Sequence, residues 1–315
     1  MTATPASTRT RSLRLAHAVL MLVTLVLSAA AARAQVEDSM VDVGGYRLHF
    51  HIVKGSGLPI LFEAGGGDDA TTWDSILTPV ANVTGATVIA YDRAGFGKSE
   101  VAPLEYNIVK EVEGLEAGLA KLGYTGDIML VAHSLGGSYA TVYASRHADH
   151  VRSAVLLDIS LPCFNTDAEL ESMMQDKAQL ATLKAKGGGW PALITNYVAN
   201  AHLMRTIPFP GKIPAIAVTS DKTPFDAKSK ADRWRTCHRD FASEHPNVQA
   251  ITAYGTGHYI FGDSPELVVA VIAKSYAKAL GGPGGEKVAQ RYLDSAPDSI
   301  NESNRHRATS QSEKK

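Results

Sequence analysis

The chain has 315 residues, of which 45% are hydrophobic, so it holds enough apolar material for the core of one large domain or two small ones. Its formal net charge is −1, which offers no basic face to a nucleic acid, and no long run of one charge indicates an acidic or basic partner. Nucleic-acid binding is therefore the first class of function that the composition argues against.

Residues 1–34 have the pattern of a secretory signal peptide. Three arginines precede an apolar run from Leu15 to Ala32, and Ala32-Arg33-Ala34 presents small residues spaced for cleavage after Ala34. The alternative is an uncleaved membrane anchor, because the apolar run approaches the length of a bilayer span. We favour cleavage, which predicts a secreted or periplasmic protein with no stable membrane association.

Two cysteines, Cys163 and Cys237, follow this segment. In an oxidising compartment they form one disulfide, or else they remain two buried thiols. Both alternatives stay open, because a disulfide requires proximity in space and sequence does not supply it.

Apolar runs at regular intervals predict a mostly parallel sheet. Residues 41–53 alternate polar and apolar around Gly44-Gly45, which indicates an opening hairpin. Most of the later runs are separated by helical patterns such as Val109–Leu122. These runs are 59–64, 87–91, 127–132, 153–159, 213–219 and 248–253. Strands that alternate with helices predict an α/β fold whose ligands bind beyond the carboxyl ends of the strands.

Ser134 stands at a sharp turn between a strand and a helix. The apolar run passes into Ala132-His133-Ser134-Leu135-Gly136, a small-x-Ser-x-Gly pattern. Such a turn pushes the serine hydroxyl out of the backbone above a helix N-terminus. We predict that Ser134 is a nucleophile and that His133 beside it is a packing residue.

A serine nucleophile needs a base within hydrogen-bond reach and an acid that orients the base. Asp158, Asp221 and His258 each follow an apolar run, so a parallel sheet brings them to the same edge as Ser134. His258 ends the turn 255–258 and is the predicted base.

No metal ion or other cofactor is predicted. His49 and His51 share one face of a strand, but no third ligand lies nearby, so we interpret them as strand residues. The sequence also contains no nucleotide-binding loop and no redox motif.

The alternation of strands and helices breaks between residues 160 and 212. This interval contains a helical pattern over Asp167–Lys186, then Gly187-Gly188-Gly189, which is either a hinge or, as we favour, a plain surface loop. After Leu280 the composition becomes polar, which predicts a disordered tail over 281–315.

Four blocks in this order resemble the α/β-hydrolase superfamily. They are the strand and glycines of 59–67, the segment Asp92-Arg93-Ala94-Gly95-Phe96-Gly97-Lys98-Ser99, the turn at Ser134, and Gly257-His258 before Pro265-Glu266. The resemblance covers residues 41 to 280 and implies a serine-nucleophile, esterase- or lipase-like branch. We therefore expect an α/β-hydrolase domain over 35–280, with the interval 160–212 inserted as a small helical cap.

The resemblance leaves the acid between two residues. In most relatives the acid follows the strand after the cap, where Thr223 occupies the expected position and Asp221 lies two residues early. Some members, including certain haloalkane dehalogenases, carry it after the strand that follows the nucleophile's helix, which here ends at Asp158. We favour Asp158, with Asp221 as the alternative.

The resemblance also implies an oxyanion hole. Its donors are the backbone N–H groups of Leu135 and Gly66, with Gly65 and Gly67 as alternatives to Gly66. Ala64 stands where the family usually has a histidine. The charged pair that begins the 92–99 block is expected to brace loops near the site.

The function that the resemblance implies is a secreted serine hydrolase. Ser134 would cleave ester-like bonds of small or medium apolar substrates through an acyl-enzyme. A serine at this turn argues against dehalogenase and epoxide-hydrolase chemistry, which in this family uses an aspartate there. Two alternatives remain: a catalytically silent homologue that binds a small ligand, and a proline-type aminopeptidase. Several cap side chains either line an apolar cavity or form the core of the cap: Met173, Met174, Trp190, Tyr197 and Met204.

Overall fold

The structure is a computed structural model that describes residues 36–102 and 107–295, without the side chains of 293–295. Its strands form one eight-stranded sheet. They are β1 (Val36–Asp42), β2 (Arg47–Val53), β3 (Gly57–Glu63), β4 (Ala86–Tyr91), β5 (Ile128–His133), β6 (Val151–Leu157), β7 (Ala215–Ser220) and β8 (Val248–Ala253). The predicted signal peptide at 1–34 lies outside the described residues.

The sheet is mostly parallel, which confirms the predicted α/β fold. The strand order is β1-β2-β4-β3-β5-β6-β7-β8. The pairs β1–β2 and β2–β4 are antiparallel, and the opening hairpin is the one predicted from the alternation around Gly44-Gly45. The remaining neighbours are parallel. Every residue of β4 and β5 is buried, as strands covered on both faces require.

Helices connect the strands. They are α1 (Leu77–Thr84), α2 (Ile108–Lys121), α3 (Gly136–Arg146), α4 (Asp167–Gln175), α5 (Lys177–Ala185), α6 (Trp190–Met204), α7 (Lys228–Glu244), α8 (Ile260–Asp263), α9 (Pro265–Leu280) and α10 (Gly282–Ser295). Helix α2 illustrates how the sequence sets the start of a helix. The Asn107 side chain caps α2 by accepting a hydrogen bond from Val109 N at 2.8 Å. Val112, Leu115 and Leu119 then bury one face at helical spacing.

The cap lies between β6 and β7 and contains α4, α5 and α6. The helical pattern over 167–186 is two helices, because Asp176 ends the first and caps the second by accepting from Gln179 N at 3.0 Å. The glycine segment is docked against the body of the protein. Gly189 N donates to Gly95 O at 2.8 Å, and a Cβ on Gly95 would lie 2.5 Å from Gly189 N. Neither a free hinge nor a plain surface loop describes it.

Cys163 and Cys237 are disulfide-bonded, with their Cα atoms 5.8 Å apart. The first cysteine lies at the base of the cap and the second on α7. The bond therefore ties the cap to the helix that follows β7.

Helix α10 corrects the prediction of a disordered tail from residue 281. Val288 is buried at 1% exposure, and Arg291 donates to Thr84 O at 2.7 Å, which holds α10 against α1. The average composition of the segment is polar and therefore did not indicate a helix. Val288 and Tyr292 are four residues apart, however, so a helix places both on one apolar face. The remainder of the predicted tail, 296–315, lies outside the described residues.

Within residues 36–102 and 107–295, no helix combines the length and the apolar character that crossing a membrane requires.

Candidate active site

Ser134 occupies a strained turn at the carboxyl end of β5. Its φ is +51°, and that of Asp158 after β6 is +45°; in the described part of the chain, all other positive-φ residues are glycines. Such strain clusters at functional sites. Gly136 makes the turn possible, because a Cβ there would lie 2.5 Å from Ala64 O on the neighbouring segment. The sequence pattern around Ser134 is thus a packing requirement as well as a chemical one.

His258 connects the nucleophile to a carboxylate. Ser134 Oγ lies 2.9 Å from His258 Nε2, and His258 Nδ1 lies 2.7 Å from Asp158 Oδ2. Because the carboxylate only accepts, Nδ1 carries the hydrogen, which leaves Nε2 free to accept the proton of the serine. The structure therefore brings together the three residues predicted as nucleophile, base and acid.

Asp158 is fully buried and surrounded by donors. Besides His258, Ser220 Oγ donates to Oδ2 at 2.8 Å, Ser220 N to Oδ1 at 3.2 Å, and Trp234 Nε1 to Oδ1 at 2.9 Å. Burial by itself raises the pKa of Asp158, but the His258 hydrogen bond, the nearby His238 ring and the Trp234 hydrogen bond outweigh it and lower the pKa. The carboxylate is therefore ionised at neutral pH.

Asp221 occupies a different place. Its side chain is exposed and accepts a hydrogen bond from Gly255 N at 3.3 Å. The residue before it, Ser220 at the end of β7, is the one that faces the histidine site, as a donor to Asp158. Of the two acids that the sequence left open, the structure places Asp158 beside His258.

The chain resembles known proteins in sequence and in fold. Residues 59–183 match the family model of the alpha/beta hydrolase fold. The protein YqjL of Bacillus subtilis (strain 168) is 25% identical over 232 residues, which are 73% of this chain and 88% of that one. A haloalkane dehalogenase of Sphingobium indicum is 23% identical over 288 residues, 75% of this chain and 94% of that one. A thermophilic esterase from Thermogutta terrifontis superimposes with a TM-score of 0.54 at 21% identity, covering 78% of this chain and 99% of its own.

The chain has the α/β-hydrolase fold, and residues 59–183 of it match the family model of that fold. These matches support a hydrolase acting on a small molecule. The structural neighbour by itself shows the fold alone.

The two residues predicted to supply the oxyanion donors are neighbours in space. A Cβ added to Gly66 would be 3.2 Å from Leu135 Cδ2. Neither Leu135 N–H nor Gly66 N–H donates a hydrogen bond within the described part of the chain. Both donors are thus available to a bound ligand. Gly65 is buried, and Gly67 lies beneath the Trp190 ring.

Arg93 fixes the orientation of the glycine loop. Its guanidinium is buried and donates to Ala64 O at 2.7 Å and to Gly65 O. In a planar trans peptide the C=O and the following N–H point in opposite directions. Because the Gly65 carbonyl points at Arg93, the Gly66 N–H points away from it. Asp92, the other half of the charged pair, accepts from Ala70 N and Lys98 N, both at 2.7 Å.

A second buried acidic side chain, Glu63, lies below this loop. Burial raises the pKa of Glu63 to about 8, against the opposing charge of Arg93. Tyr91 OH donates to Glu63 Oε2 at 3.0 Å, and Arg93 Nη1 lies 4.0 Å from the same oxygen. This cluster places the Arg93 side chain between the sheet and the loop that it orients.

His133 packs against the proposed base. Its Nε2 donates to His258 O at 3.0 Å, and its ring lies 4.6 Å from the His258 ring and 5.1 Å from that of Phe261. Burial, together with the charge of His258, lowers the pKa of His133 to about 3. The side chain is therefore neutral, and it holds the backbone of the histidine that contacts Ser134.

The two strand histidines make ordinary hydrogen bonds. His49 lies between two carboxylates, 2.9 Å from Asp92 Oδ2 and 2.6 Å from Asp38 Oδ1, and His51 lies 3.3 Å from the same Asp38 oxygen. Across the described residues, no group of three or more His, Cys, Asp or Glu side chains is arranged to hold a metal ion.

Trp234 and Ser220 were not identified from the sequence. Trp234 lies on α7, 76 residues beyond the carboxylate that it contacts, and Ser220 lies 62 residues beyond it. No local motif marks either residue. The one available signal is positional, because Ser220 ends the strand at which the acid of most relatives is found.

The cap covers a small pocket whose lining includes Leu135, the residue that follows Ser134. Of the five cap side chains that sequence left between cavity and core, Tyr197 and Met204 line this pocket. Trp190 instead packs against Phe96, with ring centroids 5.8 Å apart, and Met174 is exposed. Side chains of the cap therefore both line the pocket and pack against the body of the protein.

The neutral state of His133 predicts an acid-sensitive fold. The pKa of His133 is lowered from 6.5 to about 3 in the folded protein. Between these two pH values His133 is therefore protonated in the unfolded chain and neutral in the folded chain. The free energy of unfolding should fall by up to about 1.4 kcal/mol per pH unit from this residue alone. Urea unfolding of His133→Gln between pH 7 and 5 should show a shallower decline than the unaltered protein. His202→Gln, which changes an exposed histidine, is the control, and equal slopes in all three proteins would contradict the prediction.

Proposed function

We propose that this α/β hydrolase is a serine hydrolase that cleaves ester-like bonds of small or medium apolar substrates through an acyl-enzyme on Ser134. One observation carries the proposal: Ser134 Oγ, His258 and the buried Asp158 carboxylate form a continuous hydrogen-bonded series of 2.9 and 2.7 Å. This series lies at the carboxyl ends of the parallel strands, where ligands of such sheets bind.

The geometry supports a complete acyl-transfer cycle. Ser134 Oγ attacks the substrate carbonyl carbon while His258 Nε2 takes its proton, and Asp158 stabilises the resulting imidazolium. Negative charge develops on the carbonyl oxygen, and the N–H groups of Leu135 and Gly66 would donate hydrogen bonds to it. His258 then returns the proton to the leaving oxygen as its bond to carbon breaks. Water, deprotonated by His258, repeats the attack and releases the acid.

The identity of the nucleophile separates this proposal from the activity named for one relative. The Sphingobium relative is a haloalkane dehalogenase, and the family carries out that chemistry with an aspartate at this turn. A serine alkoxide suits attack on a carbonyl carbon. The esterase that shares the fold is consistent with this choice.

The two alternatives fit the site less well. A silent ligand-binding homologue has no need of a serine held 2.9 Å from a histidine whose other nitrogen meets a buried carboxylate. An aminopeptidase must recognise a protonated amine, whereas none of the described residues that line the pocket beside Leu135 is charged. Ester cleavage remains the function that the geometry supports best.

Covalent labelling tests the proposed triad. In the chain from Gln35, a fluorophosphonate probe followed by peptide mapping should label Ser134 rapidly. His258→Ala and Asp158→Asn should each slow labelling by roughly 10³-fold or more, because the base or its tautomer is lost. Asp221→Asn, the matched change at an exposed aspartate, should label like the unaltered protein. An unlabelled wild type would leave the silent binder, and loss of labelling in Asp221→Asn would overturn the acid assignment.

Arg93 gives a test of the oxyanion donors. Arg93→Lys keeps the buried charge but cannot bond both loop carbonyls in the same fork, so the Gly66 N–H loses its fixed direction. For a p-nitrophenyl ester we expect kcat to fall roughly 10- to 100-fold with little change in KM, because the donor acts on charge present only in the transition state. Arg47→Lys, at an exposed ion pair with Glu100, should leave kcat unchanged. A rise in KM at constant kcat would assign Arg93 to substrate binding instead.

We also propose that the protein is exported to the periplasm or the medium. The signal pattern of residues 1–34 supports this, and so does the Cys163–Cys237 bond, because disulfides persist in oxidising compartments. N-terminal sequencing of the exported protein should then begin at Gln35. A chain that keeps residues 1–34 and sediments with membranes would contradict cleavage.

A further inference from the structure

A pocket lies between the amino ends of β6, β7 and β8 and the second half of helix α9. Its volume is about 430 Å³, within the range of ligand pockets, roughly 300–1,000 Å³. Its lining includes Val151, Ala215 and Gln249, each among the first two residues of its strand, and Lys274 and Lys278 on α9. The proposed triad follows the carboxyl ends of the strands, so this pocket lies at the opposite edge of the sheet.

The lining of this pocket is cationic. It contains Arg152, Lys212, Lys274 and Lys278, and Asp149 is the one acidic residue among the described residues that line it. Lys212 forms an ion pair with Asp149. Neither lysine of α9 has an ion-pair partner in the described part of the chain, and Lys274 Nζ instead donates to the neutral side chain of Gln249 at 3.2 Å. The positive charge of the pocket is therefore only partly compensated within the protein.

The two lysines of α9 are one helical turn apart. Side chains four residues apart lie next to each other on a helix, and like charges at this spacing destabilise it. The dipole of α9 favours a cation in its last turn, which accounts for Lys278. It does not account for Lys274, or for Arg152 on β6. An anion bound between these side chains would remove their repulsion.

Ser153 contributes a buried hydroxyl to the lining. The residue is 3% exposed, and its Oγ has no hydrogen-bond partner among the described residues. Alternate residues of a strand share a face, so Ser153 points to the same side of β6 as Val155. The strand register places Val155 beside Ile216 and Ile216 beside Gln249. Because Gln249 contacts Lys274, this is the face that α9 covers. The hydroxyl of Ser153 therefore lies on the α9 side of the sheet, towards the lysines.

The donors of the pocket fit a dianionic group. The four positive charges of the lining face the one negative charge of Asp149, and Asp127, whose carboxylate lies 3.7 Å from Arg152, offsets one more. An excess of two positive charges remains, which matches the charge of a phosphate monoester. Lysine and arginine donate charge-assisted hydrogen bonds to phosphate oxygens, and a buried hydroxyl gains the partner that it lacks. The volume leaves room for an organic group attached to the phosphate.

We propose that this pocket binds a phosphate monoester, with Arg152, Lys274 and Lys278 around the phosphate and the Ser153 hydroxyl donating to it. The site is a binding site and not a second catalytic centre. It is independent of the proposed serine-hydrolase function, because it lies at the opposite edge of the sheet from Ser134.

Calorimetric titration of the chain from Gln35 with glycerol 3-phosphate tests the proposal. We expect saturable binding at one site, which rising salt weakens because the lysines and the arginine are exposed. Glycerol, which has the same organic group without the phosphate, should not bind. Absence of binding by glycerol 3-phosphate at low salt, or equal binding by glycerol, would overturn the proposal.

Variants locate the site. Lys274→Gln and Lys278→Gln should each weaken the affinity roughly three- to tenfold, between the effects of an exposed ion pair and a charge-assisted hydrogen bond. Lys184→Gln, the matched change at an exposed lysine of the cap helix α5, should bind like the unaltered protein. An equal loss of affinity in Lys184→Gln would show non-specific attraction and overturn the site.

Ser153→Ala separates binding from folding. It should weaken the affinity by a similar factor, while the free protein stays at least as stable in urea because the hydroxyl has no hydrogen bond to lose. Unchanged affinity in this variant would remove Ser153 from the site. Ser134→Ala should bind glycerol 3-phosphate with unaltered affinity, and a loss there would assign the probe to the candidate active site and overturn the proposal.

A free ester and a lipid headgroup carry the same phosphate chemistry, and vesicles distinguish these two sources. Sedimentation with phosphatidic acid vesicles, but not with phosphatidylcholine vesicles, and release by glycerol 3-phosphate would support the site with a lipid as its ligand. Calorimetric binding without sedimentation would support it with a free phosphate ester. Sedimentation that persists in Lys274→Gln and in the presence of glycerol 3-phosphate, with no calorimetric binding, would overturn it.

Discussion

The buried carboxylate of Asp158 is the constraint around which the site is arranged. A fully buried charge is destabilising by several kcal/mol unless hydrogen bonds replace its hydration. Here the replacement comes from three separate segments: Ser220 at the end of β7, Trp234 on α7, and His258 in the turn after β8. Each donor is usable only if its segment is correctly placed. The hydrogen bonds to this one carboxylate therefore fix the relative positions of the end of β7, helix α7 and the turn that carries His258.

Helix α7 extends this arrangement to the cap. It carries Trp234, whose ring contacts Phe164 at 5.1 Å, and Cys237, which is bonded to Cys163. The loop that leaves the site after Asp158 thus returns to the same helix before the cap begins. The contacts that hold the acid and those that anchor the start of the cap therefore come from the same helix.

Features of the site that depend on short stretches of sequence could be predicted, whereas those that depend on the direction of a side chain could not. Ser134 and His258 stand in short turns whose glycines and positions predict their roles. Asp158 and Asp221 both follow strands, and only the side-chain placement shows which one meets the histidine. Trp234 lies on a helix far along the chain from Asp158, so no local sequence pattern predicts that the two side chains meet. Helix α10 was missed for a related reason, because two apolar residues on one face are lost in an average over a polar segment.

The rings of His258 and His238 lie beside the Asp158 carboxylate, and the His133 ring packs against that of His258. The different surroundings of the three rings give them different protonation behaviour. His133 and His238 are buried, and burial lowers the pKa of both, with the charge of His258 acting in the same direction. His258 is half-buried and alone bridges the serine and the carboxylate. When His258 accepts the serine proton, its neighbours stay neutral and do not repel the new positive charge. The single negative charge of Asp158 is then matched by a single imidazolium, which is the charge state that acyl transfer requires.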